Sequence, residues 1–410
     1  MSDMLEPPKR YDRRISEPET AHAESKIIKN KRKSLFTKSD ILTLGGIDIP
    51  FFAIVIALMT IGLVMLFSAT YPYGLSKFGD SYYYSKRQLL FMILGVAAMM
   101  IISKMNYQLI KKFVLPLFVV TIGLLVLVLF YHTNFQDFKR WIPIGPITFQ
   151  PSDLAKFTII VVLADYISKN HKRMGHLVNG IVYPLAIIGV FCVLIHFENH
   201  NSGMILVFLI GAALMFCGGT DWKLFALGAG VVVAVALFVI LNPAVLQEYA
   251  GERIVAWLDK DYSPLDGRWQ TNNSLYAIGS GGFFGAGLGN SKQKFMYVSE
   301  PQNDFIFSIV CEELGFIGAA VIIALFALLF IRGVKIAMNT HDRFASLVVI
   351  GIVSQVAIQV IFNILVVTDT IPNTGISLPF FSYGGTSMVM LLAEMGVVLS
   401  ISRSANQKKV

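Results

Sequence analysis

Charge is scarce in this sequence. Only 15% of its 410 residues are Asp, Glu, Lys or Arg, where a soluble domain carries about 25%. A chain this poor in charge cannot cover a large water-facing surface, which excludes an ordinary soluble enzyme. Cysteine is scarcer still, with Cys192, Cys217 and Cys311 the three present. They are far apart and each falls in an apolar stretch, so they form neither a disulfide framework nor a metal-ligand spacing. No Walker phosphate loop, Ser/His/Asp arrangement or zinc spacing occurs. The glycine-rich run "AIGSGGFFGAGLGNS" has no strand–helix–strand context and is not a dinucleotide site; a re-entrant or interfacial segment fits it better. The first 45 residues are polar and lack an apolar core followed by a small-residue cleavage site, so no cleavable leader is expected.

What is abundant is apolar length. Hydrophobic residues make up 55% of the chain and mean hydropathy is +0.64. Runs of about 20 apolar residues, enough to cross a bilayer, recur along most of it. The expected fold is an all-α integral membrane protein, a polytopic bundle of ten transmembrane helices. Spans are expected near 50–70, 88–103, 112–131, 153–167, 180–197, 203–217, 223–241, 305–331, 344–367 and 386–402. A large extracytoplasmic loop, 242–304, separates helices seven and eight. Residues 1–47 form a basic cytoplasmic tail, expected to be disordered, 48–403 the membrane domain, and 404–410 a short cytoplasmic tail. The net charge of +8 lies partly in the first tail, at Lys26, Lys29, Lys31, Arg32, Lys33 and Lys38. It reads as an anchor facing anionic lipid, or a docking site for a cytoplasmic partner, rather than a nucleic-acid surface.

Loop charge orients the bundle. Lys104, Lys111 and Lys112, then Lys169, Lys172 and Arg173, then Arg332, Lys335 and Arg343 fall on one side with both termini, which the positive-inside rule makes the cytoplasm. The unusual motifs all fall on the other side. Asp304 stands where the long polar loop meets an apolar helix. A carboxylate at membrane depth is costly and reads as functional; the alternative is a helix N-cap. In helical phase Ser308, Cys311 and Gly315 return to its face and Glu313 points the opposite way, toward a polar partner in a neighbouring helix. Lys86, Arg87, Lys139, Arg140, Arg253, Arg268, Lys292 and Lys294 occur on this face against the charge rule, which fits an anionic head group such as a pyrophosphate. Asp153 and Lys156, one turn apart, either form a structural pair or leave Lys156 to contact phosphate. Trp141 is either an interfacial anchor or a platform for a sugar. Gln355, Gln359 and Asn363 form one polar stripe suited to interhelical hydrogen bonds, and Glu394 needs a partner within the bundle.

Four motifs, "KRWIPIGPITFQPSDLAKF", "AIGSGGFFGAGLGNSKQK", "NDFIFSIVCEELGFIGA" and "GISLPFFSYGGTS", resemble in order those of the SEDS family (shape, elongation, division and sporulation proteins), from Asp48 onward. The resemblance implies a peptidoglycan glycosyltransferase of the inner membrane that polymerises lipid II beside a class B penicillin-binding transpeptidase. It implies Asp304 as catalytic base and Trp141 as the characteristic loop tryptophan. Arg140, Lys156, Arg253, Lys292 and Lys294 become candidates to stabilise the leaving pyrophosphate, alone or with a divalent cation (Mg2+ or Mn2+), and Ser382 and Tyr383 further substrate contacts. Asp153, Glu313, Gln355 and Glu394 are taken as structural polar groups. The tail and "KRW" look more like the division branch, with other divisome proteins as partners, than the elongation branch. Two stretches, "SEPQND" and "FENHNSG", depart from the usual family pattern. The rival functions are a lipid II flippase, for which Glu313 and Glu394 would relay protons, and a scaffold that recruits the transpeptidase.

Overall fold

The computed structural model describes residues 45–130, 140–145, 147–242, 248–260 and 268–407. The expectations for the tail up to residue 44, for Lys139 and for the last three residues fall outside them. The chain runs through α1 (Ile49–Phe78), α2 (Tyr83–Lys104), a short α3 (Gln108–Lys112) and α4 (Val114–Phe130). A hairpin of β1 (Ile142–Ile144) and β2 (Ile147–Phe149) leads into α5 (Pro151–Asn170). There follow α6 (Tyr183–Phe197), α7 (Asn201–Cys217), α8 (Trp222–Leu241), α9 (Glu248–Leu258) and α10 (Trp269–Gly281). The last three helices are α11 (Ile306–Met338), α12 (Arg343–Val367) and α13 (Gly385–Gln407).

Seven helices among the described residues are long and apolar enough to cross a membrane: α1, α2, α6 with the π-helical turn before it, α8, α11, α12 and α13. Helices α4 and α7 are apolar but have 17 residues each. Helix α5 has 20 residues but carries Asp153, Lys156, Asp165 and Lys169. Each expected span overlaps one of these ten helices, and the chain is a mostly helical, multi-pass membrane protein. The bundle is drawn tight where side chains are smallest: a Cβ on Gly396 of α13 would lie 2.7 Å from the carbonyl oxygen of Met99 in α2. At one end Asp48 caps α1 by accepting from the Phe51 amide at 3.0 Å, and Arg332 of α11 grips its carboxylate with two nitrogens at 2.9 Å each. The Asp48 amide donates to Ser402 of α13 at 3.2 Å, so one acidic residue ties three helices together.

The stretch before α11 holds two helices, α9 and α10. One expectation is corrected here: Asp304 does not open a helix, because α11 begins at Ile306, its cap is Phe305, and no side chain caps it. The expected face shared by Asp304, Ser308, Cys311 and Gly315 therefore does not exist. Gly315 also breaks the phase, with φ 66° and ψ −169°, a region that costs any other residue dearly.

That break is filled by a neighbour. Helix α10 packs on α11, and the glycine-rich chain after it folds against the break. The Phe316 and Ile317 amides, released from helical bonding, donate to the carbonyls of Gly282 and Phe283 at 3.0 and 3.3 Å. In return the Ala286 and Gly287 amides donate to the carbonyls of Glu312 and Glu313 at 2.9 and 3.0 Å. Irregular backbone among membrane helices survives only when enclosed and satisfied in this way.

The same loop then buries two carboxylates. Glu312 accepts from the Lys292 amide at 2.8 Å and from the Ser291 hydroxyl. Glu313 accepts from Ser68 of α1 at 2.7 Å and from Lys294 Nζ at 2.9 Å, and both side chains of this ion pair have no solvent exposure. Lys294 also sits 4.9 Å above the Tyr71 ring. Removing one member of a buried pair leaves an uncompensated charge, at a cost of about 3–5 kcal/mol. Glu313→Leu and Lys294→Met are therefore each expected to lower thermal stability sharply in detergent. Joining the two should restore most of it, and a double loss equal to the sum of the singles would refute the pair.

Candidate active site

At the end of the bundle away from Asp48, the α4–α5, α6–α7, α8–α11 and α12–α13 connections close over one cavity of about 720 Å³, within the common range for ligand sites, about 300–1,000 Å³. It runs from a mouth at Trp141, Arg253 and Tyr383 down to Gln355, Gln359 and Glu394 among the helices.

Asp304 lies in its wall, on the turn just before α11, and is half-buried. The turn is clamped from two directions. Ser382 donates its hydroxyl to the carbonyl of Asn303 at 2.6 Å and the Tyr383 amide donates to Gln302 at 2.7 Å. Asn363 of α12 donates its amide nitrogen to the carbonyl of Asp304 at 2.6 Å. Burial pushes the Asp304 carboxyl up to about 6, and the Arg253 guanidinium opposes part of that shift. A carboxylate so placed is mostly ionised at neutral pH, yet basic enough to accept a proton.

The polar groups opposite are held by the start of α5 and the α6–α7 turn. Pro151 opens α5, whose second residue is Ser152. Asp153 pairs with Lys156 Nζ at 2.7 Å and also accepts from the Ser387 hydroxyl of α13. His200 lies half-buried beside them, its Nδ1 3.0 Å from the Ser152 hydroxyl. Desolvation first, with Arg140 nearby, holds this imidazole down to about 3, so it is neutral. Glu198, two residues earlier, has no solvent exposure and neither of its carboxyl oxygens has a hydrogen-bond partner. Burial pushes it up to about 8, against the attraction of Arg140. Arg140 in turn donates to the carbonyl of Asn199.

Arg253 is delivered by α9, which is fastened to the α12–α13 connection. Arg253 donates to the carbonyl of Asn373 at 3.0 Å, and Trp257 Nε1 to that of Asp369 at 3.0 Å. The Asp369 carboxylate pairs with buried Arg268 at 2.6 Å. Deeper in the cavity, Gln355 of α12 donates to Glu394 of α13 at 2.9 Å.

Of the residues singled out in the sequence, Asp304, Arg140, Trp141, Lys156, Arg253, Ser382 and Tyr383 meet at this cavity, as do Asp153, Gln355 and Glu394. Lys292, Lys294 and Glu313 do not. Lys294 is consumed by the ion pair behind the re-entrant loop, because an ammonium stripped of water needs a carboxylate. Ser382 spends its hydroxyl on the clamp, accepting from the Leu378 amide at 2.8 Å as well. Ser152 and Gln359, read in the sequence as a helix start and a helix–helix contact, also line the cavity, as does His200, whose one sequence signal was the polar turn "FENHNSG" between two apolar runs. Among the described residues no group of three His, Cys, Asp or Glu side chains is arranged to hold a metal ion.

Comparison with known proteins agrees with this architecture. The sequence model of the FtsW, RodA and SpoVE family of cell cycle proteins matches residues 49–407. Stage V sporulation protein E of Bacillus subtilis (strain 168) is 39% identical over 368 residues, covering 87% of this chain and 97% of that one. A probable peptidoglycan glycosyltransferase FtsW of Trichlorobacter lovleyi is 35% identical over 361 residues, covering 88% and 94%. A chain from a solved structure of a peptidoglycan synthase complex that coordinates polymerization and crosslinking superposes with a TM-score of 0.73 at 24% identity, over 88% of this chain and 99% of that one.

The charge balance at Asp304 is open to test. Arg253→Met removes the cation that holds its carboxyl down, so the value should rise above about 6. Infrared difference spectra of the purified protein should then show the protonated Asp304 carbonyl stretch persisting to higher pH. An unmoved titration would mean that Arg253 does not act on this carboxyl.

Proposed function

The chain belongs to the FtsW, RodA and SpoVE family of cell cycle proteins, and we propose from that premise that it is a peptidoglycan glycosyltransferase polymerising lipid II. The observation that carries the reading is Asp304 itself: a carboxylate raised to about 6 by burial, facing a polar cavity that also holds Arg253, Lys156 and Arg140. We further propose that all ten long helices cross the membrane, with both termini cytoplasmic and the cavity mouth on the outer face. Lipid II is presented there with its undecaprenyl chains in the bilayer. The positive-inside distribution supports this orientation.

In the proposed step, Asp304 takes the proton from the 4-hydroxyl of an acceptor N-acetylglucosamine. The freed oxygen attacks C1 of the donor N-acetylmuramic acid from the face opposite the leaving group. The bond from C1 to the pyrophosphate oxygen breaks, undecaprenyl pyrophosphate departs, and the anomeric centre inverts. In this reading Arg253 and Arg140 offset the charge developing on that pyrophosphate, and Lys156 contributes from within its pair with Asp153. Trp141, 37% exposed at the mouth, offers a ring face to a sugar. Lys292 and Lys294 have no part in this step. A divalent cation there would supply charge neutralisation at the leaving group, although no group of three His, Cys, Asp or Glu among the described residues is arranged to hold one. A class B penicillin-binding transpeptidase is the proposed partner, in septal wall synthesis with other divisome proteins, as the sporulation and FtsW relatives support.

The test is glycan polymerisation from purified lipid II by the complex with its transpeptidase. Asp304→Asn keeps size and loses basicity, and its expected rate is lower by about 10²–10⁴-fold. Full activity in that variant would remove Asp304 as the base; no polymer from an intact wild-type complex would favour lipid II transport through the same cavity. The pH profile carries an independent sign. Protonation disables the base, so the rate should fall as pH drops through about 6, by about tenfold per unit below it. A rate flat from pH 7 to pH 5 would contradict the assignment.

A further inference from the structure

We propose that Asn363 is a positioning residue: its side-chain amide sets the slot in which the Asp304 base works. The proposal rests on the glycosyltransferase reading and deepens it. Asp304 precedes α11, so no helical register fixes its backbone. What holds it is one buried amide. Asn363 Nδ2 donates to the carbonyl of Asp304 at 2.6 Å and to the carbonyl of Ile376 at 2.8 Å. Both partners are backbone acceptors, so only the nitrogen edge of the amide can face them. The side chain has no solvent exposure and its oxygen finds no partner. An asparagine that leaves its own acceptor unsatisfied is held there for its two donors.

The two carbonyls belong to separate segments that both line the cavity. Next to Ile376 stands Gly375, at φ 70°, and a Cβ there would lie 3.7 Å from Asp304 Oδ2. The Gly375–Ile376 backbone is thus the wall that the carboxylate faces at close range, and the Asn363 amide joins the two segments. No neighbouring bond replaces it. Ser382 and Tyr383 hold Asn303 and Gln302 but not Asp304. Without the amide, two buried carbonyls lose their donor and the carboxylate is free to shift relative to the wall. A misplacement of about 1 Å in a catalytic group costs on the order of 10²-fold in rate.

The experiment is steady-state polymerisation of lipid II by the transpeptidase complex carrying Asn363→Ala. Expected is a kcat lower by roughly tenfold or more with KM within about threefold, and an acidic limb of the rate displaced from the wild-type position. A structural role alone would lower the amount of folded complex without moving that limb. Ser274→Ala serves as the control. Its hydroxyl is equally buried and donates at 2.8 Å to the carbonyl of Val367, which does not line the cavity, at the same end of α12; its kcat and limb should match wild type. Should Asn363→Ala fail to fold, Asn363→Ser, which retains one donor, is expected to show an intermediate kcat with a displaced limb. Wild-type kcat and limb in a folded Asn363 variant would overturn the proposal. Asp304→Asn measured alongside separates the two readings. Activity there defeats the base assignment, whereas inactivity there with wild-type Asn363 variants defeats only the positioning role.

Discussion

Removing a charged group from water costs several kcal/mol unless partners inside the protein replace the lost hydration, and the bundle is organised around that constraint. Asp48 is met by Arg332, Glu313 by Lys294 and Ser68, Asp153 by Lys156 and Ser387, and Asp369 by Arg268. Each set joins segments distant in sequence. The charges therefore do more than survive burial: they specify which helices and loops come together. In a low-dielectric interior a mismatched pairing would leave an orphan charge on each side, so alternatives are strongly disfavoured.

The same constraint shapes the cavity. Its groups stand on connections, and the connections are fastened to one another rather than left to move. The α12–α13 segment holds Asn303 through Ser382 and receives bonds from Arg253, Trp257 and Ser202. The hairpin before α5 accepts from Thr386 at the start of α13 at 3.0 Å. Connections hold Asp304, His200 and Tyr383 at the cavity while helices hold Lys156, Arg253, Gln355 and Glu394 there, so loop and helix groups are fixed against one another. Burial of Asp304 and exclusion of water are one event. The environment that raises its carboxyl also strengthens the action of nearby cations on any anion that enters.

The sequence by itself determined the membrane class and the position of the long apolar helices, and it singled out Asp304, which lines the cavity. Apolar runs and the polar stretches between them are local properties, and each expected span overlaps a helix. Asp304 was legible because a carboxylate beside a membrane helix is chemically conspicuous whatever surrounds it. Glu313 likewise read as a group needing a partner, and Ser68 of a neighbouring helix is one. Tertiary structure decided the rest. Lys292 and Lys294 lie in the same long loop as Arg253, and only the fold of the glycine-rich segment against Gly315 turns Lys294 inward to Glu313 while Arg253 reaches the cavity. Asn363, one of a stripe with Gln355 and Gln359, reads as a helix–helix contact, yet its amide serves two loops. The turn "FENHNSG" stood out only as a departure from a motif, because its burial of Glu198 and its place beside Ser152 depend on packing. Hydropathy acts on each residue through its own contact with water, so it is written in order along the chain. Which charge faces which depends on distances between segments far apart in that order, and only the closed bundle sets those.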